Sequence, residues 1–158
     1  MKSRLFTGIA AALALGAVSA CGSSAPAPAA DTPSADLVVS NARLMLAPVK
    51  GNPAAAYFDI ANKGGKDWMI NDAAFAGASS AMLHTVGGAN MGGGMGEVLQ
   101  VPVRQGETVH FEPGHLHVMV MDPPAGLAPG GKGQLTLKFL GGDALSFPVE
   151  VKAPGDER

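Results

Sequence analysis

The chain has 158 residues, 47% of them hydrophobic, and a formal net charge of −2 at pH 7. This length and apolar content support one hydrophobic core but not two, so we expect a single folded domain. The slightly acidic balance excludes a main role in binding nucleic acid, because such proteins carry a basic surface that neutralises phosphates.

Residues 1–20 have the pattern of an export signal. Lys2 and Arg4 give the start a positive charge, and an apolar stretch follows at 6–18. That stretch is too short to cross a bilayer as a helix, and small residues come after it, as in signal peptides. We therefore predict that 1–20 is a signal peptide and that the protein is exported.

The export signal ends in the sequence VSAC, which resembles a bacterial lipobox. In a lipobox the cysteine, here Cys21, becomes the lipid-modified first residue of the mature protein; the alternative is ordinary cleavage that leaves a free thiol. We favour lipidation, because Cys21 is the only cysteine and an unpaired exposed thiol is a liability in an oxidising compartment. The expected location is periplasmic, anchored at a bacterial membrane, and Gly22 favours the outer membrane if the organism is Gram-negative.

The rest of the chain divides into a linker, a domain and a tail. Residues 21–36 are rich in Ser, Pro and Ala and should form a lipid-anchored flexible linker. Residues 37–152 alternate short apolar runs with Gly, Pro, Asn and Asp, which is typical of an all-β sandwich with little helix. Residues 153–158 form a tail. The predicted strands are 37–46, 54–61, 68–76, 81–86, 95–103, 108–112, 117–121, 134–140 and 145–151.

Four side chains of this domain suit a soft metal ion. Two imidazoles and two thioethers are supplied by His84, Met95, His117 and Met119. Thioether sulfur is neutral and polarizable, so it favours copper(I) over magnesium, calcium and manganese, and imidazole binds copper in either oxidation state. Zinc is more often bound by Cys, His and carboxylate, and none of the four is Asp or Glu. The sequence predicts a His2Met2 copper(I) site, although any one of the four could alone be a packing or solvated residue.

The strand predicted at 117–121 arranges two of these ligands. Residues two apart on a strand share a face and lie about 6.6 Å apart. His117 and Met119 should therefore point to one side. Val118 and Val120 should point to the core.

Further residues are auxiliary candidates. The Gly-rich segment 87–96 would bring Met95 to the site and also carries Met91. Met91 and Met121 are possible auxiliary thioethers. His115 is a possible group behind the ligands or an added copper(II) ligand, whereas His110 alternates with apolar neighbours on a polar face and should be solvated.

The spacing of the four residues resembles that of the periplasmic copper chaperone family PCuAC. Ten residues separate His84 from Met95, twenty-one separate Met95 from His117, and one separates His117 from Met119. The resemblance also includes the segments AAAYFDIANKGGKD and EPGHLHVMVM, and it covers about 37–151. It implies a cupredoxin-like Greek-key β-sandwich that holds copper(I) near its surface with those four residues. It also implies copper donor and acceptor partners, with cytochrome c oxidase subunit II, which carries the CuA site, and its assembly factors as the expected acceptors.

Several function classes compete on this sequence. A copper chaperone that is not an enzyme and acts as a monomer is the leading interpretation. A copper-buffering or resistance lipoprotein without a dedicated acceptor could use the same ligands. A blue-copper electron carrier is excluded because its thiolate ligand is missing from the domain, and a copper oxidase or a metal-free structural lipoprotein ranks below the first two. Loss of oxidase activity on deletion at limiting copper would separate chaperone from buffer.

Overall fold

The computed structural model describes residues 36–87 and 94–156. The predictions made for 1–35, including lipidation of Cys21, and for Met91 lie outside these residues. The described residues contain ten strands and no helix, and so no helical segment that could cross a membrane. The strands are β1 (Leu37–Met45), β2 (Ala54–Asn62), β3 (Trp68–Phe75), β4 (Ser80–Val86), β5 (Met95–Glu97), β6 (Val101–Val103), β7 (Thr108–Phe111), β8 (His117–Met121), β9 (Lys132–Phe139) and β10 (Ala144–Lys152).

The strands form one strongly curved sheet. Its order is β5-β4-β8-β2-β1-β10-β9-β3-β6, and β7 pairs with β2 off this path. A further antiparallel contact between β3 and β4 closes the sheet on itself. Only the β1–β10 pairing is parallel among the described strands. The prediction of an all-β sandwich with little helix is confirmed.

The core lies inside the closed sheet and follows from alternating side chains. In β2 every second residue is buried, from Ala54 to Asn62. Phe58 from this strand stacks on Phe111 with ring centroids 4.1 Å apart and meets Phe147 edge-on at 5.1 Å. Each such buried ring stabilises the fold by about 1.5–3 kcal/mol relative to exposure. The one polar residue among these buried positions, Asn62, donates hydrogen bonds from its side-chain amide to two backbone carbonyl oxygens.

The prediction of one strand at 95–103 is wrong, because two short strands occupy this range. β5 pairs with β4, whereas β6 pairs with β3, so the two lie at opposite ends of the sheet path. The Val98 amide still donates to the Leu83 carbonyl at 2.8 Å. The chain then leaves β4 at the exposed Leu99 and crosses to β3. The apolar pattern of 95–103 is continuous in the sequence, but its two halves pair with different strands.

Candidate metal centre

Two histidines face each other across adjacent strands on the outer surface of the sheet. β4 and β8 run antiparallel, and their register places His84 directly opposite His117. The imidazole centroids are 6.0 Å apart and the rings are tilted by 53°. Val118, the neighbour of His117 in sequence, is fully buried in the core. Because side chains alternate along a strand, both imidazoles point away from the core. Val118 and Val120 point inward, as predicted.

The imidazole of His117 is held by the backbone. His117 is only 4% exposed, and its Nδ1 lies 2.9 Å from the carbonyl oxygen of His115. A carbonyl can only accept a hydrogen bond, so Nδ1 is the donor in this contact. The neutral ring then keeps Nε2 as the unprotonated nitrogen, which is the atom that can bind a metal.

His84 offers a ring nitrogen that the protein does not use. Its Nδ1 is buried and makes no hydrogen bond to any described residue. Burial and the charge that His117 carries when protonated lower the pKa of His84, and Glu97 opposes this effect. The lowered pKa favours the neutral ring at neutral pH. A buried ring nitrogen that makes no hydrogen bond to the described residues is available to bind a metal ion, so this residue fits a metal site.

The thioether of Met119 lies on the same face as the two imidazoles. Met119 is two residues after His117 and is half-buried. It is paired in register with Met82 of β4, which is two residues before His84. Met82 was not predicted as a site residue, although its spacing from His84 repeats that of Met119 from His117. That spacing alone does not single out Met82, because its relation to Met119 depends on the register between β4 and β8.

Met95 lies at the edge of the sheet, beside the histidine pair. It lies opposite Val86 on β5, diagonally across from His84, and is 60% exposed. Diagonal neighbours on one sheet face are about 7–8 Å apart, within reach of a methionine side chain. Met121 lies one step beyond Met119, opposite Ser80. The structure thus groups His84 and His117 with Met119 and places Met95 beside them at the edge.

An aromatic residue forms the other side of the site. The ring of Tyr57 on β2 lies 6.1 Å from the His117 imidazole, centroid to centroid. The Arg43 guanidinium carbon sits 5.3 Å from the centre of the Tyr57 ring. The Tyr57 ring covers His117 from the side opposite His84 and helps to explain its burial. Neither was predicted, because their position depends on pairing between distant strands.

The remaining histidines have separate roles. The His115 side chain is exposed, and the residue supports His117 through its carbonyl oxygen. The His110 side chain is 58% exposed, as expected, but its Nδ1 also lies 2.6 Å from Oδ1 of Asp59. Burial alone would raise the pKa of Asp59, but hydrogen bonds from Asn41 and His110 outweigh it and lower that pKa. This cluster lies across β2 and β7, away from the paired imidazoles.

Within residues 36–87 and 94–156, no three His, Cys, Asp or Glu side chains come together in a way that could hold a metal ion. The donors beside the two imidazoles are thioether sulfurs, which are soft. Fold and site together define a small β-sandwich domain with two histidines and several methionines on one outer face.

The chain belongs to the family described as "Putative lipoprotein LpqE-like", whose family model matches residues 37–151. A relative described as "Putative lipoprotein Lxx21020", from Leifsonia xyli subsp. xyli, is 34% identical over 101 residues. That match covers 62% of this chain and 60% of the relative, so the chain spans less than two thirds of the relative's length.

Solved structures of similar fold are PCuAC domains and a copper protein. The solution structure of CuI-DR1885 from Deinococcus radiodurans is 29% identical, has a TM-score of 0.58, and is matched over 76% of this chain and 79% of its own. The copper-bound PCuAC domain from PmoF2 is 19% identical, with a TM-score of 0.62 and coverage of 75% and 94%. The apo PCuAC domain from PmoF1 is 21% identical, with a TM-score of 0.64 and coverage of 75% and 95%. The predicted resemblance to PCuAC proteins and the cupredoxin-like fold are confirmed.

Proposed function

We propose that this protein is an exported, lipid-anchored copper chaperone. In this proposal copper(I) is the cargo, bound by two imidazoles and two thioethers and passed to a partner protein by ligand exchange. The ligands are His84, Met95, His117 and Met119. The observation that carries the proposal is the facing pair of histidines. One has its Nδ1 bonded to a carbonyl oxygen, and the other has a buried Nδ1 without a hydrogen-bond partner among the described residues.

The ligand types support copper(I) as the cargo. The four proposed ligands, two neutral imidazoles and two thioethers, carry no charge, which suits a soft monovalent cation better than a hard divalent one. The similarity to the protein named CuI-DR1885, at 29% identity, supports the same metal and oxidation state. Thioethers also resist the oxidation that converts thiols to disulfides in an exported protein.

The position of Met95 supports release by ligand exchange. Its strand β5 has only three residues and ends the sheet path, so one side of the site faces solvent. An incoming ligand from a partner can approach there and replace the exposed thioether. The acceptor that we propose is the CuA site of cytochrome c oxidase, on subunit II, reached with its assembly factors. We further propose that the chain acts as a monomer without catalytic activity.

Copper K-edge X-ray absorption tests the ligand set. The chain with Cys21→Ala would be loaded with copper(I) under anaerobic conditions and compared with the same chain carrying His84→Gln or Met119→Leu. We expect mixed nitrogen and sulfur scattering, reduced in nitrogen by the first substitution and in sulfur by the second. Scattering without sulfur, or no stoichiometric copper, would refute the proposal.

The second candidate function is a copper-buffering or resistance lipoprotein, which uses the same ligands but has no dedicated acceptor. The exposed position of Met95 supports this function as well as it supports the chaperone, because a site that exchanges ligands also suits a copper buffer. Deletion of the protein at limiting copper separates the two. Loss of cytochrome c oxidase activity supports the chaperone, whereas normal oxidase activity with increased sensitivity to excess copper supports the buffer.

A further inference from the structure

The outer face of the sheet carries a third thioether at the histidine pair. Met82 lies on β4, is half-buried, and faces the same side as His84 two residues later. Its register partner on β8 is Met119, just as the partner of His84 is His117. On this face of β4 and β8, the two imidazoles are paired with each other and the two thioethers are paired next to them.

This arrangement brings the two sulfurs within reach of one ion. Residues directly opposite each other in an antiparallel pair have Cβ atoms about 4.5–5.5 Å apart. The methionine side chain is unbranched and has three rotatable bonds, so it adapts to a ligand position easily. An ion bound between His84 and His117 is thus as accessible to Met82 as it is to Met119.

Met82 is also anchored more firmly than Met95. The β4–β8 pairing extends over five register pairs, from Ser80 to His84 on one strand. The β4–β5 pairing has only three register pairs, and Met95 at its end is 60% exposed. Edge residues with few backbone partners open more readily than residues between two paired strands.

We propose that Met82 is a copper(I) ligand in this protein and that it replaces Met95 when the ion is handed over. This inference rests on the proposed function, because it concerns the same ion. In the exchange the bond from copper to the Met95 sulfur breaks and the bond to the Met82 sulfur forms. Copper stays in the +1 state and no proton moves. The edge position vacated by Met95 is then open to a ligand from the acceptor.

Methionine-methyl NMR tests this directly. The full chain with Cys21→Ala would be labelled with carbon-13 at its methionine methyl groups and titrated with copper(I), which is diamagnetic, under anaerobic conditions. The Met82 signal is assigned by its loss in Met82→Leu. In the same chain carrying Met95→Leu, which mimics the site after Met95 has left, we expect the Met82 and Met119 methyl signals to shift on copper binding, while Met69, at β3 opposite Pro102, does not shift.

The titration separates the two proposals. A shift of Met119 with an unchanged Met82 in the Met95→Leu chain would overturn the role of Met82 and leave the chaperone proposal intact. No shift of any methionine methyl signal would overturn the proposed thioether site itself.

Competition with a copper(I) chelator tests the exchange. If Met82 and Met95 substitute for each other, Met82→Leu and Met95→Leu should each weaken copper(I) binding by less than about tenfold. The double variant should weaken it by far more than the product of the two single fold-changes in affinity. Met69→Leu serves as the matched control and should have no effect. If the affinity loss of the double variant equals the product of the two single losses, the proposal that one thioether replaces the other is overturned.

Discussion

At the residue scale, the two histidines that we propose as metal ligands are held in different ways. The His117 ring is oriented by a hydrogen bond to the His115 carbonyl, which fixes which nitrogen is available. The His84 ring has no such bond among the described residues, and its environment instead disfavours the charged form. One ring is therefore fixed in orientation, and the other is kept in the protonation state that binds metal.

The pH dependence of copper(I) binding follows from the lowered pKa of His84. Protons compete with copper for a neutral imidazole, so affinity must fall as pH decreases. Because the pKa of His84 is below its ordinary value of about 6.5, its part of this loss should begin at a pH lower than that value. Chelator competition between pH 5 and 8 measures it. Thioethers do not titrate, so weak binding should persist in acid; affinity independent of pH would remove His84 from the site.

Replacing Met119 with Leu removes the sulfur while nearly preserving bulk and burial. We expect the free energy of unfolding to stay close to that of the wild type and copper(I) affinity to fall by at least about tenfold. Thermal unfolding of the apo protein and chelator competition provide the two measurements. Met69→Leu, on another strand, is the control. If Met119→Leu binds copper normally, Met119 is a packing residue.

At the element scale, the β4–β8 pair separates stability from binding by its two faces. Leu83 and Val118 are buried register partners on the core side. Met82, His84, His117 and Met119 lie on the other side. A substitution on one face should therefore leave the property that depends on the other face largely intact.

Leu83→Ala tests this separation against its neighbour in sequence. Removing a buried leucine side chain leaves a cavity, and the expected loss is about 2–5 kcal/mol in the free energy of unfolding. Met82→Leu should cost little stability and weaken copper(I) binding instead. Chemical denaturation of the two apo variants gives the comparison. Equal destabilisation by both substitutions would mean that Met82 is a core residue.

The same two faces show what sequence could predict. Alternation in the 117–121 segment correctly predicted Val118 and Val120 in the core, because a strand has a period of two. The division of 95–103 was missed, since it depends on which distant strand pairs with each half. Met82 was missed for a related reason. Its importance comes from being paired with Met119, and register between strands far apart in sequence cannot be read from local pattern.

At the scale of the whole molecule, the first and last strands of the domain complete the closed sheet together. β1 pairs in parallel with β10, for example at Arg43 and Glu150, and β10 also pairs with β9. The alternate residues of β10 are core residues, namely Leu145, Phe147, Val149 and Val151. The end of the domain is thus part of the structure that supports the proposed metal site on β4 and β8.

A chain that ends at residue 143 should therefore fail to fold. It loses four buried side chains worth about 1.5–3 kcal/mol each, a total comparable with the net stability of about 5–15 kcal/mol of a typical domain. A chain that ends at 152 keeps β10 and should unfold cooperatively. Circular dichroism during heating measures both. A cooperative transition in the shorter chain would show that the β1–β10 pairing is dispensable.

The β1–β10 pairing also determines when this protein can finish folding as its chain emerges, either from the ribosome or, with the proposed export, from the membrane. β1 is among the first parts of the domain to emerge, but its parallel neighbour emerges last. Until then one edge of β1 has backbone groups without strand partners, and such an edge can pair with another nascent chain. Contacts between residues so far apart in sequence also form slowly. The newly made protein is therefore most exposed to aggregation just before its final strand is added.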